Sequence, residues 1–150
     1  MTTALNMTIP LKQDFQSQKK LDELKAKFPF GIQQAIDAAL RKSEIVHFAR
    51  VMVIDNKYIQ VLTEFDGDKK VYALFFLKEL PNVFKAIFEL AEGVPPWEEL
   101  VKNEDLFFEV SQGFNMRALG TKDDDKDAGW LFSAFGTKTV KEIAKALAKP

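Results

Sequence analysis

Two neighbouring runs constrain this chain more than any other feature. Ile45 to Ile54 and Tyr58 to Phe65 are dense in β-branched and aromatic residues, and only Asp55-Asn56-Lys57 separates them. Such side chains suit a pleated, half-buried surface, and a short Asp-Asn connection tolerates the left-handed backbone of a tight turn. The pair predicts an antiparallel hairpin. A lone hairpin is marginal in water, so the rest of the chain must cover it.

Elements able to do so lie on both sides. Leu5, Met7, Ile9 and Leu11 alternate with Asn6, Thr8 and Pro10, which predicts a strand ending near Pro10. Leu21, Leu24 and Phe28, then Ile32, Ala35, Ile36, Ala39 and Leu40, form a helical stripe interrupted at Pro29 and closed by Arg41 and Lys42. After the hairpin, Asp66-Gly67-Asp68 ends the strand and caps a helix from Lys69 to Lys78 or Glu79, so Ile45 to Glu79 reads as one contiguous unit. Pro81 should separate that helix from a second piece carrying Val83, Phe84, Ile87 and Phe88. A further helix starts at Trp97 and reaches Phe107 and Phe108 if it continues; a strand over Leu106 to Val110 is the alternative. Thr121 to Asp127 reads as a solvated loop, Trp130 to Phe135 as a strand, and Thr139 to Leu147 as a closing helix.

This order is the split βαβ pattern. It predicts one α+β domain over residues 1–150, ferredoxin-like, with a four-stranded antiparallel sheet, helices on one face and an extra helical segment.

Composition narrows the function classes. The 21 basic and 22 acidic side chains supply no broad positive field, so nucleic acid is a poor expected partner. With no cysteine and one histidine, thiol catalysis and the common zinc constellations are excluded, and no metal is assigned. The longest apolar stretch, Val71 to Leu77, is too short to span a membrane, and Met1 to Pro10 lacks the features of a signal peptide. A cytoplasmic, soluble protein is the expectation.

The central third carries a resemblance. His47-Phe48-Ala49-Arg50, then the hairpin, then Glu64-Phe65-Asp66-Gly67-Asp68 and a helix with Tyr72, is similar to an uncharacterised bacterial domain family that resembles the dimeric ferredoxin-like α/β barrels. A strand ending in Ile9-Pro10, and Phe132-Ser133-Ala134-Phe135 before a last short helix, share the family's looser framing. Lys69-Lys70 and the very apolar Val71 to Phe76 depart from its pattern. The resemblance implies the fold and brings no agreed activity.

Candidate site residues follow from strand alternation. With a turn at either Asp55-Asn56 or Asn56-Lys57, His47, Ala49, Val51 and Val53 share a face with Tyr58, Gln60, Leu62 and Glu64. Phe48, Arg50, Met52 and Ile54 then share the other face with Ile59, Val61, Thr63 and Phe65, the more apolar set and the better one to lie under helices. On the open face, His47 opposite Glu64, or opposite Asp66 in the shifted register, is the sharpest acid–base or axial-ligand hypothesis; the plainer reading is a histidine bonded to its neighbour at a strand end. Arg50 offers a guanidinium to a ligand's carboxylate or phosphate, or pairs with a nearby acid. Asp66-Gly67-Asp68 and Asp123-Asp124-Asp125 are weak calcium-like fragments, and Gly136 to Thr139 reads as a turn and helix cap.

His47, Arg50, Tyr58, Gln60, Glu64 and Asp66 are therefore the expected ligand-binding residues of a small-molecule-binding domain, its cofactor unnamed. The alternative is an oxidoreductase of monooxygenase or haem-peroxidase type using His47. An open face bearing Val51, Val53, Tyr58 and Leu62 predicts a homodimer, unless Trp97 to Phe114 folds across it.

Overall fold

The computed structural model describes residues 2–121 and 128–148. Three strands form one antiparallel sheet in the order β1 (Thr2–Pro10), β3 (Tyr58–Asp66), β2 (Val46–Ile54). Helices α1 (Phe15–Lys27) and α2 (Gln33–Ser43) cross from β1 to β2. They are joined through Phe28–Ile32, where Phe30 and Gly31 leave helical geometry next to Pro29. After β3 come α3 (Lys69–Glu79), α4 (Pro81–Glu89), α5 (Trp97–Lys102), α6 (Glu104–Gly113) and α7 (Val140–Leu147). Among the described residues no helix is long and apolar enough to cross a membrane.

Several boundaries follow directly from local chemistry. Asp14 accepts from the Ser17 N–H and starts α1; Asp68 accepts from the Lys70 and Val71 N–H groups and starts α3. Pro81 opens α4 as its first residue, so α3 and α4 are separate helices as expected. Asn103 ends α5 and caps α6 through the Leu106 N–H, and that cap makes Leu106 to Val110 helical, not a strand. Thr139 caps α7 through the Glu142 N–H.

The core lies on one face of the sheet. Leu5, Met7 and Ile9 of β1 join Ile59, Val61 and Phe65 of β3 against Leu21, Tyr72, Phe76, Phe84, Phe88, Leu100 and Phe107. The Phe-rich stretch is therefore mostly interior: Phe76 stacks on Phe84 at 4.6 Å, and Phe88 meets Phe107 at 5.7 Å. Segment Trp97 to Phe114 belongs to this layer. Phe107 is buried against Phe84 and Trp97, so the segment thickens the helical side and leaves the opposite sheet face to other cover.

The expected four-stranded ferredoxin-like sheet does not form. Trp130 to Phe135 is not a strand: Ser133 closes a turn with its carbonyl on the Gly136 N–H at 3.2 Å and its hydroxyl on the Phe135 N–H at 3.1 Å. The free edge of β1 is met by a shorter piece. The Thr8 N–H donates to the Phe114 carbonyl at 2.9 Å, and the Met116 N–H to the Asn6 carbonyl at 2.7 Å. The Asn115 side chain takes the Asn6 N–H, so one residue of this segment bonds through its side chain and ladder pairing stops there. The expected loop at residues 122–127, with Asp123-Asp124-Asp125, lies outside the described residues.

The segment then doubles back, with the Ala118 N–H on the Ala128 carbonyl and the Trp130 N–H on the Leu119 carbonyl. Gly129 fits only because it lacks a side chain: its φ is 75°, and a Cβ there would stand 2.0 Å from the Ala118 carbonyl oxygen. Gly129→Ala is expected to cost about 2 kcal/mol, because both the backbone angle and the contact oppose it. Chemical denaturation checks this; an unchanged midpoint would show that the doubled-back pairing contributes nothing to stability.

Candidate functional site

The hairpin register decides which side chains meet. Asp55 and Asn56 both take left-handed backbone, φ 52° and 55°, and the Lys57 N–H closes the turn on the Ile54 carbonyl. Lys57 is not taken into the ladder, because its carbonyl accepts from the Leu11 N–H at 2.8 Å and Ile54 pairs with Tyr58. Three residues thus connect the strands, where two were expected. A one-residue change of register turns a strand over. Ala49, Val51 and Val53 therefore face the helices with Ile59, Val61 and Thr63, and Phe48, Arg50, Met52 and Ile54 lie on the open face with Tyr58, Gln60, Leu62 and Glu64. This corrects the expected placement of Arg50, Val51 and Val53.

His47 nevertheless reaches the open face, by a different route. Val46 pairs with Phe65 and Phe48 with Glu64, so His47 is an extra residue in a β-bulge. Bulges re-aim side chains. Here the imidazole is turned onto the β1–β3 pair, where Thr2 stands opposite Asp66. His47 Nε2 lies 2.9 Å from Asp66 Oδ1 and 3.1 Å from Thr2 Oγ1. The Thr2 hydroxyl donates to the same Oδ1 at 2.7 Å, and Asp66 Oδ2 accepts the Val140 N–H of α7 at 2.7 Å. With Nε2–H donating to the carboxylate, Nδ1 carries the lone pair of the neutral ring.

The network is nearly closed to water, with the His47 and Asp66 side chains 14% and 9% exposed. Burial raises the Asp66 carboxyl, but hydrogen bonds from Val140, His47 and Thr2 outweigh it and hold the group below its ordinary value. Glu64, two residues along on the same face, shows the reverse balance. Burial pushes it above the usual carboxylate range, and Arg50 and His47 offset only part of the rise.

Over this floor lies a cleft of about 550 Å³. Thr2, His47, Arg50 and Glu64 form its sheet side, and Leu131 to Phe135 its other wall. Phe48, Phe132 and Phe135 are largely exposed at its margins. Among the described residues no ion pair joins Arg50 to Glu64, although both line this space.

Of the expected site residues, the structure brings together His47, Arg50, Glu64 and Asp66. Tyr58 and Gln60 share their face but sit toward the turn end, about 20 Å and about 13 Å along the strand from Glu64, with Gln60 bonded to Thr8 Oγ1. Asp68 serves as a cap and Asp66 as the centre of a hydrogen-bond network, in place of the calcium-loop reading. Sequence reasoning missed Thr2, the Val140 N–H and the aromatic wall. Phe132-Ser133-Ala134-Phe135 was visible as a motif, yet its role depends on where the chain returns after Gly129.

Known proteins offer no guide. Comparison with family models, curated proteins and solved structures finds no match.

Proposed function

We propose that this chain is a small-molecule-binding domain whose ligand occupies the cleft between the His47 end of the sheet and residues Leu131 to Phe135. The observation that carries the reading is the cleft itself. At about 550 Å³ it has the size of ordinary ligand sites, with apolar walls and a few converging polar groups. The bulge at His47 and the Asp66 network shape the sheet side, and the Val140 contact ties the start of α7 to it. Of the residues behind the family resemblance, His47 to Arg50 and Glu64 line the cleft.

A neutral apolar fluorophore, Nile red, tests this. It is expected to bind saturably at one site per chain, and Phe132→Ala with Phe135→Ala to weaken it about tenfold, since each ring is exposed enough to be removed without disturbing the core. Absence of saturable binding would sink the reading.

The same network favours one enzymatic reading. A carboxylate-held imidazole with Nδ1 free is a usable acid–base pair, as an oxidoreductase of monooxygenase type would need. Axial ligation of haem through Nε2 would first require that nitrogen to leave Asp66. A Soret band in the purified protein, abolished by His47→Ala, would favour haem over simple binding.

Self-association belongs to the proposal for a separate reason. Val140, Ile143, Ala144 and Leu147 fall on one stripe of α7, yet none is buried, and Phe48, Met52, Ile54 and Tyr58 are exposed on the open sheet face. A second copy could cover both surfaces. Light scattering at micromolar concentration is expected to give about twice the 17.1 kDa chain mass; a mass near one chain would refute the dimer.

A further inference from the structure

We infer that the cleft is selective for amphipathic carboxylates, with the ligand's carboxylate between Arg50 and Glu64 and its apolar body against Phe132 and Phe135. This rests on the binding reading above and names the ligand class.

Arg50 lines the cleft from β2 and Glu64 from β3, on the same face. They are close enough for Arg50 to affect the charge state of Glu64, yet they form no ion pair. A guanidinium and a carboxyl group that do not pair with each other beside a cavity define a place where a third group fits. A guanidinium matches a carboxylate in two parallel hydrogen bonds. Glu64 lines the same floor, and in its protonated form, which burial favours, its O–H can donate to the ligand's second oxygen.

The alternatives for the head group fit less well. An ammonium would have to lie beside Arg50. A phosphate's second charge would be repelled by Glu64 once ionised, and Asp66, the other nearby acid, is fully engaged. The remainder of the cleft suits an aromatic or aliphatic body, because Leu131, Phe132, Ala134 and Phe135 supply its far wall.

Glu64 gives the proposal a pH signature. The charged or titratable groups around it are Arg50 and His47 on β2, Asp66 two residues along its own strand, and, through the sheet, the Tyr72 phenol of α3. From β1 it meets Thr2 and Ala4, and from the far wall residues 131–135, none of which titrates. Lys138 and Glu142 pair with each other at 3.9 Å and lie outside the cleft lining. As pH falls, Glu64 gains its proton and stops repelling the bound carboxylate, so affinity for the acid rises. Glu64→Gln isolates this contribution.

The test is displacement of Nile red by 2-naphthylacetate and by its neutral amide, 2-naphthylacetamide. The acid is expected to bind about tenfold or more tighter than the amide. Arg50→Ala should erase that preference, and Glu64→Gln should flatten the pH dependence of acid binding. Equal affinity for acid and amide overturns the inference, as does a preference that survives Arg50→Ala or a failure of both compounds to displace bound dye. In each case the binding reading stands if the dye itself still binds. If the dye does not bind either, both fall.

Discussion

Asp66→Ala is expected to lower the melting temperature by roughly 10 °C. The carboxylate accepts from the Thr2 hydroxyl, His47 Nε2 and the Val140 N–H, and the residue is 8% exposed. Removing it takes the shared acceptor from all three donors, although the Thr2 hydroxyl and His47 Nε2, 3.1 Å apart, can still bond each other. Unsatisfied groups of this kind cost about 1–3 kcal/mol each before relaxation, and solvent entry at the Val140 end should reduce the total to about 3 kcal/mol. At this chain length a kilocalorie moves the midpoint by about 2–4 °C. Asp66→Asn, which keeps one acceptor oxygen, should fall between the variant and the parent.

Acid titration provides an independent check on the same residue. The Asp66 carboxyl is held below its ordinary value in the folded chain, so its contribution is fully present above the unfolded value of about 3.9. It is lost as pH falls through the lower, folded value. The parent should therefore lose stability relative to Asp66→Ala only in that acid window. Scanning calorimetry at neutral pH together with acid unfolding of both proteins measures the effect. A variant melting within about 2 °C of the parent would show that the network does not hold α7 to the sheet.

Tyr72→Ala is expected to destabilise the chain by about 4 kcal/mol, the cost of deleting a buried ring and leaving a cavity. Tyr72 is fully buried, stacked 4.2 Å from Phe65 and tilted against Phe76 at 4.5 Å, and its hydroxyl bonds Thr63 Oγ1 at 2.6 Å. Tyr72→Phe keeps the ring and removes only that bond, so about 1 kcal/mol is expected. The contrast separates packing from hydrogen bonding. Burial pushes the phenol far above its ordinary value. The folded state thus favours the protonated form, and this contribution is complete below the unfolded value of about 10 and declines as pH rises beyond it. The parent should lose stability above that pH relative to Tyr72→Phe. Equal denaturation midpoints for Tyr72→Ala and Tyr72→Phe would refute the packing argument.

Much of the architecture could be read without coordinates because its causes are local. The Asp68 and Thr139 caps each involve an N–H within three residues. Pro81 lacks a donor wherever the chain goes, so the break between α3 and α4 needs no tertiary information. The hairpin between Ile45 and Phe65 has the same character, since alternation and turn chemistry lie within one short stretch.

Register, bulge and sheet size are of another kind. The Lys57 carbonyl is drawn to the Leu11 N–H, and that long-range bond goes with the three-residue connection that turns Arg50 toward the open face. His47 meets Asp66 through a bulge, and Asp66 is completed by Thr2 and Val140, which lie 64 and 74 residues away in the chain. The fourth strand was expected from the composition of Trp130 to Phe135, but the β1 edge was already bonded to Phe114 and Met116. Sequence by itself determined the hairpin strands and the helix starts set by Asp68, Pro81 and Thr139, because capping, proline and side-chain alternation act over a few residues. Tertiary structure alone decided which polar groups share the cleft. Each strand edge and buried acceptor has few partners to give, and distant segments compete for them.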